Sequence, residues 1–191
     1  MKKYAIWIIL GAIILIGIGS YNGLVGSRES VNKAWANVET SYQRRADLIP
    51  NLVNTVKGAA DFEKSTLTAV MEARSKATSI RIDPNNMTPE KLQEYQAAQS
   101  QVGGALSRLL AVSENYPQLR AVESFNQLQA QLEGTENRIN EARRQYNEAA
   151  QSYNTSRAKF PRVILASLFG FKDRPYFEAD KGSEKAPSVK F

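Results

Sequence analysis

The segment FNQLQAQLEGTENRINEARRQYNEAAQSYNTSRAKF, residues 125–160, decides the fold class. Within it Phe125, Leu128, Leu132, Thr135, Ile139, Ala142, Tyr146, Ala149, Tyr153, Ser156 and Phe160 follow one another in alternating steps of three and four. Such steps keep a row of side chains on one face of an α-helix, whereas a half-buried strand shows a period of two. Large residues alternate with small ones along the row, which lets facing helices interdigitate as in a coiled coil. Only Gly134 weakens the pattern. The expected arm covers residues 118–160 and is roughly 60 Å long at about 1.5 Å per residue.

Toward the N-terminus, Leu92, Tyr95, Gln99, Val102, Leu106, Leu109 and Ser113 repeat the same steps and predict a second arm over residues 89–115. Thr88-Pro89-Glu90 opens it with a capping hydroxyl, a proline suited to the first helical position and an acid in the first turn. Tyr116-Pro117 closes it. Earlier still, Val31, Trp35, Val38, Tyr42, Arg45, Ile49, Leu52, Val56 and Ala59 keep this register. It runs on through Glu63, Thr66, Val70, Ala73, Ala77 and Ile80. One helix, or two nearly coaxial ones, is expected over residues 28–80. Pro50 should kink it by removing the bond to the Ala46 carbonyl, and Gly58 is a second weak point. Asp83-Pro84-Asn85-Asn86-Met87 is turn chemistry. No Asn-Gly or Asp-Gly sits between alternating apolar residues, so nothing signals a hairpin. Residues 28–177 therefore read as all-α, an elongated antiparallel bundle of three long arms plus a short C-terminal helix.

From residue 4 to residue 27 no side chain is charged. As a helix this stretch would extend about 36 Å, enough for a hydrocarbon core of about 30 Å. Residues 1–27 are thus expected to form an N-terminal transmembrane anchor, with Tyr4, Trp7, Ile8, Leu10, Ile14, Leu15, Ile18 and Tyr21 facing lipid and its aromatic ends at the interfaces. Lys2 and Lys3 precede the span; Arg28 and Lys33 follow it with Glu29 between them. That bias places the N-terminus in the cytoplasm and the bundle outside it. A cleaved signal peptide is the alternative reading of Lys2-Lys3 and an apolar stretch. Against it, the helical register resumes by Val31 with nothing to break the helix.

After the last arm comes a concentrated apolar stretch, Phe160-Pro161-Arg162-Val163-Ile164-Leu165-Ala166-Ser167-Leu168-Phe169-Gly170-Phe171. A helix over residues 161–170 is expected, opened by the proline and closed by Gly170, and too short to cross a bilayer. Three readings stay open: a cap folded back on the bundle, an interfacial membrane helix, or a contact between subunits. Phe160, Val163, Ile164, Leu165, Leu168, Phe169 and Phe171 would carry the latter two. Residues 178–191 read as a disordered tail.

The 191 residues include no histidine and no cysteine. That excludes thiolate nucleophiles, imidazole acid–base chemistry, Cys/His zinc sites and an acylated lipoprotein anchor. Gly103-Gly104 lies in a helical pattern with no lysine after it, unlike a phosphate-binding loop. Paired acids such as Asp61 and Glu63, or Glu123 and Glu133, have basic neighbours that suit solvated helix faces. No catalytic residue, metal or cofactor is expected. The net charge of +6 raises the question of nucleic acid. Yet the basic residues are dispersed and mixed with acids, as in Glu141-Ala142-Arg143-Arg144, and the aromatics fall in the seams. An anionic membrane is a sufficient partner for a diffuse positive charge.

The densest polar group is Arg44-Arg45-Ala46-Asp47. Arg45 falls on the apolar seam, so its stem can pack inside while its head seeks a carboxylate. Glu136, midway along the last arm, is the candidate partner if the arms are antiparallel; otherwise Arg45 reaches solvent past small neighbours. Tyr146-Asn147 and Tyr153-Asn154 read as packed tyrosines with exposed neighbours.

Several of these motifs together resemble the LemA family of bacterial membrane proteins. They are Tyr21-Asn22-Gly23-Leu24-Val25, Val31-Asn32-Lys33-Ala34-Trp35, residues 44–53 (RRADLIPNLV), residues 109–120 (LLAVSENYPQLR), the two Tyr-Asn pairs and Phe160-Pro161. The likeness covers roughly residues 1–177. Asp61-Phe62-Glu63 departs from it, standing where many members carry a histidine before the glutamate. The resemblance implies one N-terminal membrane helix, an antiparallel helical bundle and no accepted enzymatic activity. A related domain in magnetosome membrane proteins suggests, by analogy, a part in membrane organisation. The expected function is a membrane-anchored scaffold that forms homo-oligomers and has the bilayer and other membrane proteins as partners. The alternative is a signalling or adaptor module that relays state along the kinked first helix.

Overall fold

In the computed structural model, which describes residues 2–58 and 63–179, the apolar span and the first bundle arm are a single helix. α1 covers Lys2–Lys57, about 84 Å at 1.5 Å per residue. Its first part is long and apolar enough to cross a membrane. The side chains there are exposed, Trp7 by 73% and Leu15 by 71%. From Leu24 onward one face turns inward. Val31, Trp35, Val38, Tyr42, Arg45, Ile49, Leu52 and Val56 are all buried, in the register their spacing dictates.

The expected arm over residues 28–80 divides into two helices, and they are not coaxial. α1 ends at Lys57, where the Gly58 N–H donates to the Thr55 carbonyl at 3.3 Å and tightens the final turn. α2, Lys64–Ser79, then returns along α1. Arg74 reaches Ala46, and the charge of Arg81 is felt at Glu39, each pair equidistant from residue 60. The three–four register is blind to this reversal because both helices turn the same seam to a shared core, α2 burying Thr66, Leu67, Val70 and Ala77. Residues 59–62, with Ala59 and Asp61 among them, lie outside the described residues, as do residues 180–191 of the expected tail.

A 3-10 turn at Pro84–Asn86 follows, with the Asp83 carboxylate accepting from Asn85 N at 2.9 Å and Asn86 Nδ2 at 2.7 Å. α3, Pro89–Ser113, starts under the Thr88 cap, whose hydroxyl accepts from Lys91 N at 3.3 Å. The expected last arm comprises a short α4, Pro117–Arg120, and the long α5, Glu123–Ala158. α5 is antiparallel to α1: Trp35 meets Tyr146, and ten residues on, Arg45 meets Glu136. Because α5 ends at Ala158, Phe160 leaves the seam and is 80% exposed. α6, Arg162–Leu168, packs across α1 and α5, and residues 171–179 run back along α5 as an irregular strap.

The apolar interior falls into two clusters. The proximal one, beside the apolar span, gathers Leu24, Val31, Trp35, Val38, Tyr95, Ile139, Tyr146, Tyr153, Phe171 and Phe177. The distal one gathers Ile49, Leu52, Val56, Leu67, Val70, Val102, Leu109, Phe125 and Leu132 from α1, α2, α3 and α5. Four helices therefore enclose the distal half. The proximal half has α1 and α5 with the strap and the start of α3.

Candidate functional site

Between the two clusters lies a polar layer centred on Arg45, whose side chain is 4% exposed. Its Nη1 donates to Glu136 Oε2 at 3.0 Å, and its Nη2 donates to the Gln99 carbonyl at 2.9 Å and Gln99 Oε1 at 2.8 Å. The guanidinium lies 5.1 Å from the Tyr42 ring centroid. One side chain of α1 thereby ties α3 and α5 together. Glu136 is 49% exposed, so the carboxylate stays solvated while the cation is enclosed. Arg44 and Asp47 take no part: both are exposed, and Asp47 accepts from Gln43 Nε2 at 2.7 Å.

One turn beyond Arg45, Pro50 leaves the Ala46 carbonyl without its helical donor. Arg74 of α2 supplies one, its Nε donating to Ala46 O at 2.7 Å. α1 passes through Pro50 without ending. A cleft of about 140 Å³ lined by Glu39, Tyr42, Arg45, Arg74, Arg81 and Tyr95 opens beside this contact. On the other flank a groove of about 940 Å³ runs past Glu94, Gln96, Gly103, Glu136 and Arg143. Arg45 is engaged on three acceptors, so its guanidinium is spent on holding the helices in place.

In the two Tyr-Asn pairs of α5 the tyrosines are packed as expected, but Asn147 and Asn154 are half-buried and bonded, not exposed neighbours. Both pairs hold the strap. Tyr153 OH donates to the Lys172 carbonyl at 2.8 Å and Tyr146 OH to the Pro175 carbonyl at 3.0 Å. Asn154 exchanges two bonds with the Arg174 backbone, at 2.8 and 2.9 Å, and Asn147 two with the Phe177 backbone, at 3.0 and 2.9 Å. Seven helical residues rise about 10.5 Å and three extended residues span about 10 Å, so a seven-residue repeat on α5 matches a three-residue repeat on the strap. Phe177 then stacks on Trp35, centroids 6.0 Å apart, and Gln96 and Arg143 donate to the Glu178 carbonyl. Burial pushes the Tyr146 phenol up to about 12, with the charge of Arg174 opposing it, and also raises Tyr95. Arg174 is 5% exposed; its Nη2 lies 3.4 Å from the side-chain oxygens of Asn32 and Asn85.

At the proximal end the residues of the apolar stretch separate. Phe171 is buried, Leu165 packs partly against the proximal core, and Phe160, Val163, Ile164, Leu168 and Phe169 are exposed. Tyr21 joins this region to the span, its ring 5.0 Å from Phe169 and 5.7 Å from Phe171. The remaining anchor residues Tyr4, Trp7, Ile8, Leu10, Ile14, Leu15 and Ile18 are exposed along α1.

Comparison with known proteins places these features in context. A model of the LemA family matches residues 34–191. Magnetosome proteins MamQ 1 and MamQ 2 of Paramagnetospirillum magneticum are each 30% identical over 175 residues, covering 83% of this chain and 64% of theirs. The chain thus spans just under two thirds of the length of those relatives. Protein LemA of Metamycoplasma hominis is 24% identical over 172 residues, 90% of this chain and 75% of that protein.

Proposed function

The chain belongs to the LemA family, and from that premise we propose that it is a single-pass, membrane-anchored helical scaffold. It self-associates and organises other proteins of the bacterial membrane or envelope, without catalysis. The observation that carries this reading is the continuity of α1, in which one helix serves as apolar span and as spine of the bundle. A bundle so joined to its anchor stands off the bilayer in a fixed direction, which suits a part that positions other parts. The polar layer supports the same reading, since its charged groups are spent on joining helices. The relatives named as magnetosome proteins lend support by likeness. The charge bias across the span orients the bundle away from the cytoplasm. An adaptor acting through Pro50 finds little support, because Arg74 occupies the carbonyl that the proline leaves free.

The test is imaging and mass measurement of the full-length protein in mild detergent, beside a chain beginning at Ser27, together with crosslinking in cells. Uniform assemblies are expected from the full-length protein. A monomer at every concentration, with no crosslinked partner, would sink the scaffold. A single introduced cysteine at exposed Asn140, tested with a membrane-impermeant thiol reagent on intact cells, reports the orientation.

A further inference from the structure

α6 is apolar on both sides. Inward, Leu165 and Ala166 pack on the proximal core. Outward, Val163, Ile164, Ser167 and Leu168 are exposed, an arc of about 140° at 100° per residue. Three of those four side chains are apolar; Leu168 is 73% exposed, and Phe160 and Phe169 extend the patch at either end. A helix facing water on that side would carry polar groups there.

The position of α6 identifies what covers it. Tyr21, the last exposed large apolar residue of the span, touches Phe169 and Phe171. Two residues on, Gly23 faces Arg162: a Cβ on Gly23 would lie 2.9 Å from Arg162 Nη2, so α6 and α1 meet here through the tip of the arginine. The exposed face of α6 therefore begins at the level where the apolar row of α1 stops. Charged residues border the same level, with Arg28 paired to Glu29 at 3.3 Å and Lys172 next to exposed Asp173. The Arg28 guanidinium lies 5.4 Å from the Phe171 ring centroid, and Lys159 and Lys172 are exposed at the two ends of the α6 segment. Apolar surface bordered by cations matches the boundary between acyl chains and phosphate headgroups.

We propose that α6 is an interfacial helix, seated in the surface of the bilayer that α1 crosses. Val163, Ile164, Leu168, Phe160 and Phe169 enter the acyl boundary, and Arg28, Lys159 and Lys172 lie among the phosphates. The chain grips its membrane at two places, a span and a collar. This rests on the reading of α1 as a retained anchor, so the experiment reports on both.

The chain has no cysteine, so single introduced cysteines label cleanly. Leu15→Cys, Ile164→Cys, Leu168→Cys and Asn140→Cys, each in the full-length protein with a nitroxide, are reconstituted in nanodiscs of phosphatidylcholine and phosphatidylglycerol. Collision with oxygen is compared with collision with a water-soluble nickel chelate. All four positions are exposed, so the labels do not disturb packing. The expected result is an oxygen-to-nickel ratio several-fold higher at 15, 164 and 168 than at 140. A high ratio at 15 with 164 and 168 matching 140 overturns the collar and leaves the anchor standing. Positions 164 and 168 shielded from both probes, with spin–spin broadening that grows with protein density, would mean that a second copy covers α6, and this too overturns it. Position 15 matching 140 defeats the anchor and the collar together.

Discussion

Distal to Arg45, the α1–α5 pair is closed by two further helices; proximal to it, the same pair is closed by the start of α3, by the short α6 and by nine residues of irregular chain, 171–179. The distal closure is side chain against side chain: Leu67 and Val70 of α2, Val102 and Leu109 of α3. The proximal closure adds side chain against backbone to ring packing, with tyrosine hydroxyls and asparagine amides of α5 bonded to peptide groups of the strap at residues 172, 174, 175 and 177. An extended chain cannot satisfy its own peptide groups as a helix does, so a neighbour must do so wherever it is buried. The asparagines meet that requirement, each giving one bond and taking one.

The sharpest way to break the comparison is to make the same kind of cavity in both halves. Leu109→Ala in the distal core and Ile139→Ala in the proximal one should each cost about 2–5 kcal/mol, measured by chemical denaturation. Because α1 and α5 run through both halves, one cooperative transition is expected for each variant; two separated transitions would show that the halves fold independently. Next in size is the layer between them. Arg45→Ala should cost about 3 kcal/mol, since it strands Gln99 and removes the guanidinium that lies over the Tyr42 ring. Glu136→Gln should cost no more than about 1 kcal/mol because Glu136 is half solvated. Equal losses would mean that the ion pair, and not the contact with α3, joins the halves.

Smaller still are the strap contacts. Asn147→Ala and Asn154→Ala should each cost about 1–2 kcal/mol. They should speed amide exchange at Phe177 and Arg174 respectively, while exchange in α3 is unchanged. Unaltered exchange would mean that ring packing alone holds the strap. Alkali tests the same closure. An unfolded tyrosine ionises near 10, whereas Tyr146 in place ionises at about 12. The folded chain therefore holds more protons between those values. Stability is undiminished below about pH 10 and declines as pH rises toward 12. Phenolate absorbance rising together with loss of helix above pH 10 checks this; full phenolate at pH 11 with the bundle intact would contradict it.

The helical class, the buried row of α1 and the seam of α5 were legible because a repeat of three and four has one structural meaning over such lengths. The Arg45–Glu136 geometry could be anticipated once a charge fell on an apolar row. The reversal between α1 and α2 was not legible, since Thr66, Val70 and Ala77 keep the phase of α1 through the turn. Only Gly58 marks it in the sequence. The strap was hidden for a different reason. Residues 171–179 have no periodicity of their own, and what orders them is written on α5, as Tyr146-Asn147 and Tyr153-Asn154. In α5 the small position shifts from the expected Ala149 to Ala150, which is fully buried. Gln99 was placed on the seam as a polar member of the row; its role as acceptor for Arg45 depends on which helices meet there.

Because no joint separates the span from the bundle, the two are geared to one axle. A residue inserted between Gly17 and Gly19 would rotate everything beyond it by about 100° and advance it about 1.5 Å along the axis. Seven inserted residues would advance it about 10 Å but bring it back to within about 20° of its original heading. Insertions of one to seven residues thus form a dial that sweeps heading and height separately, and the setting at which assembly returns would reveal which of the two the cell reads.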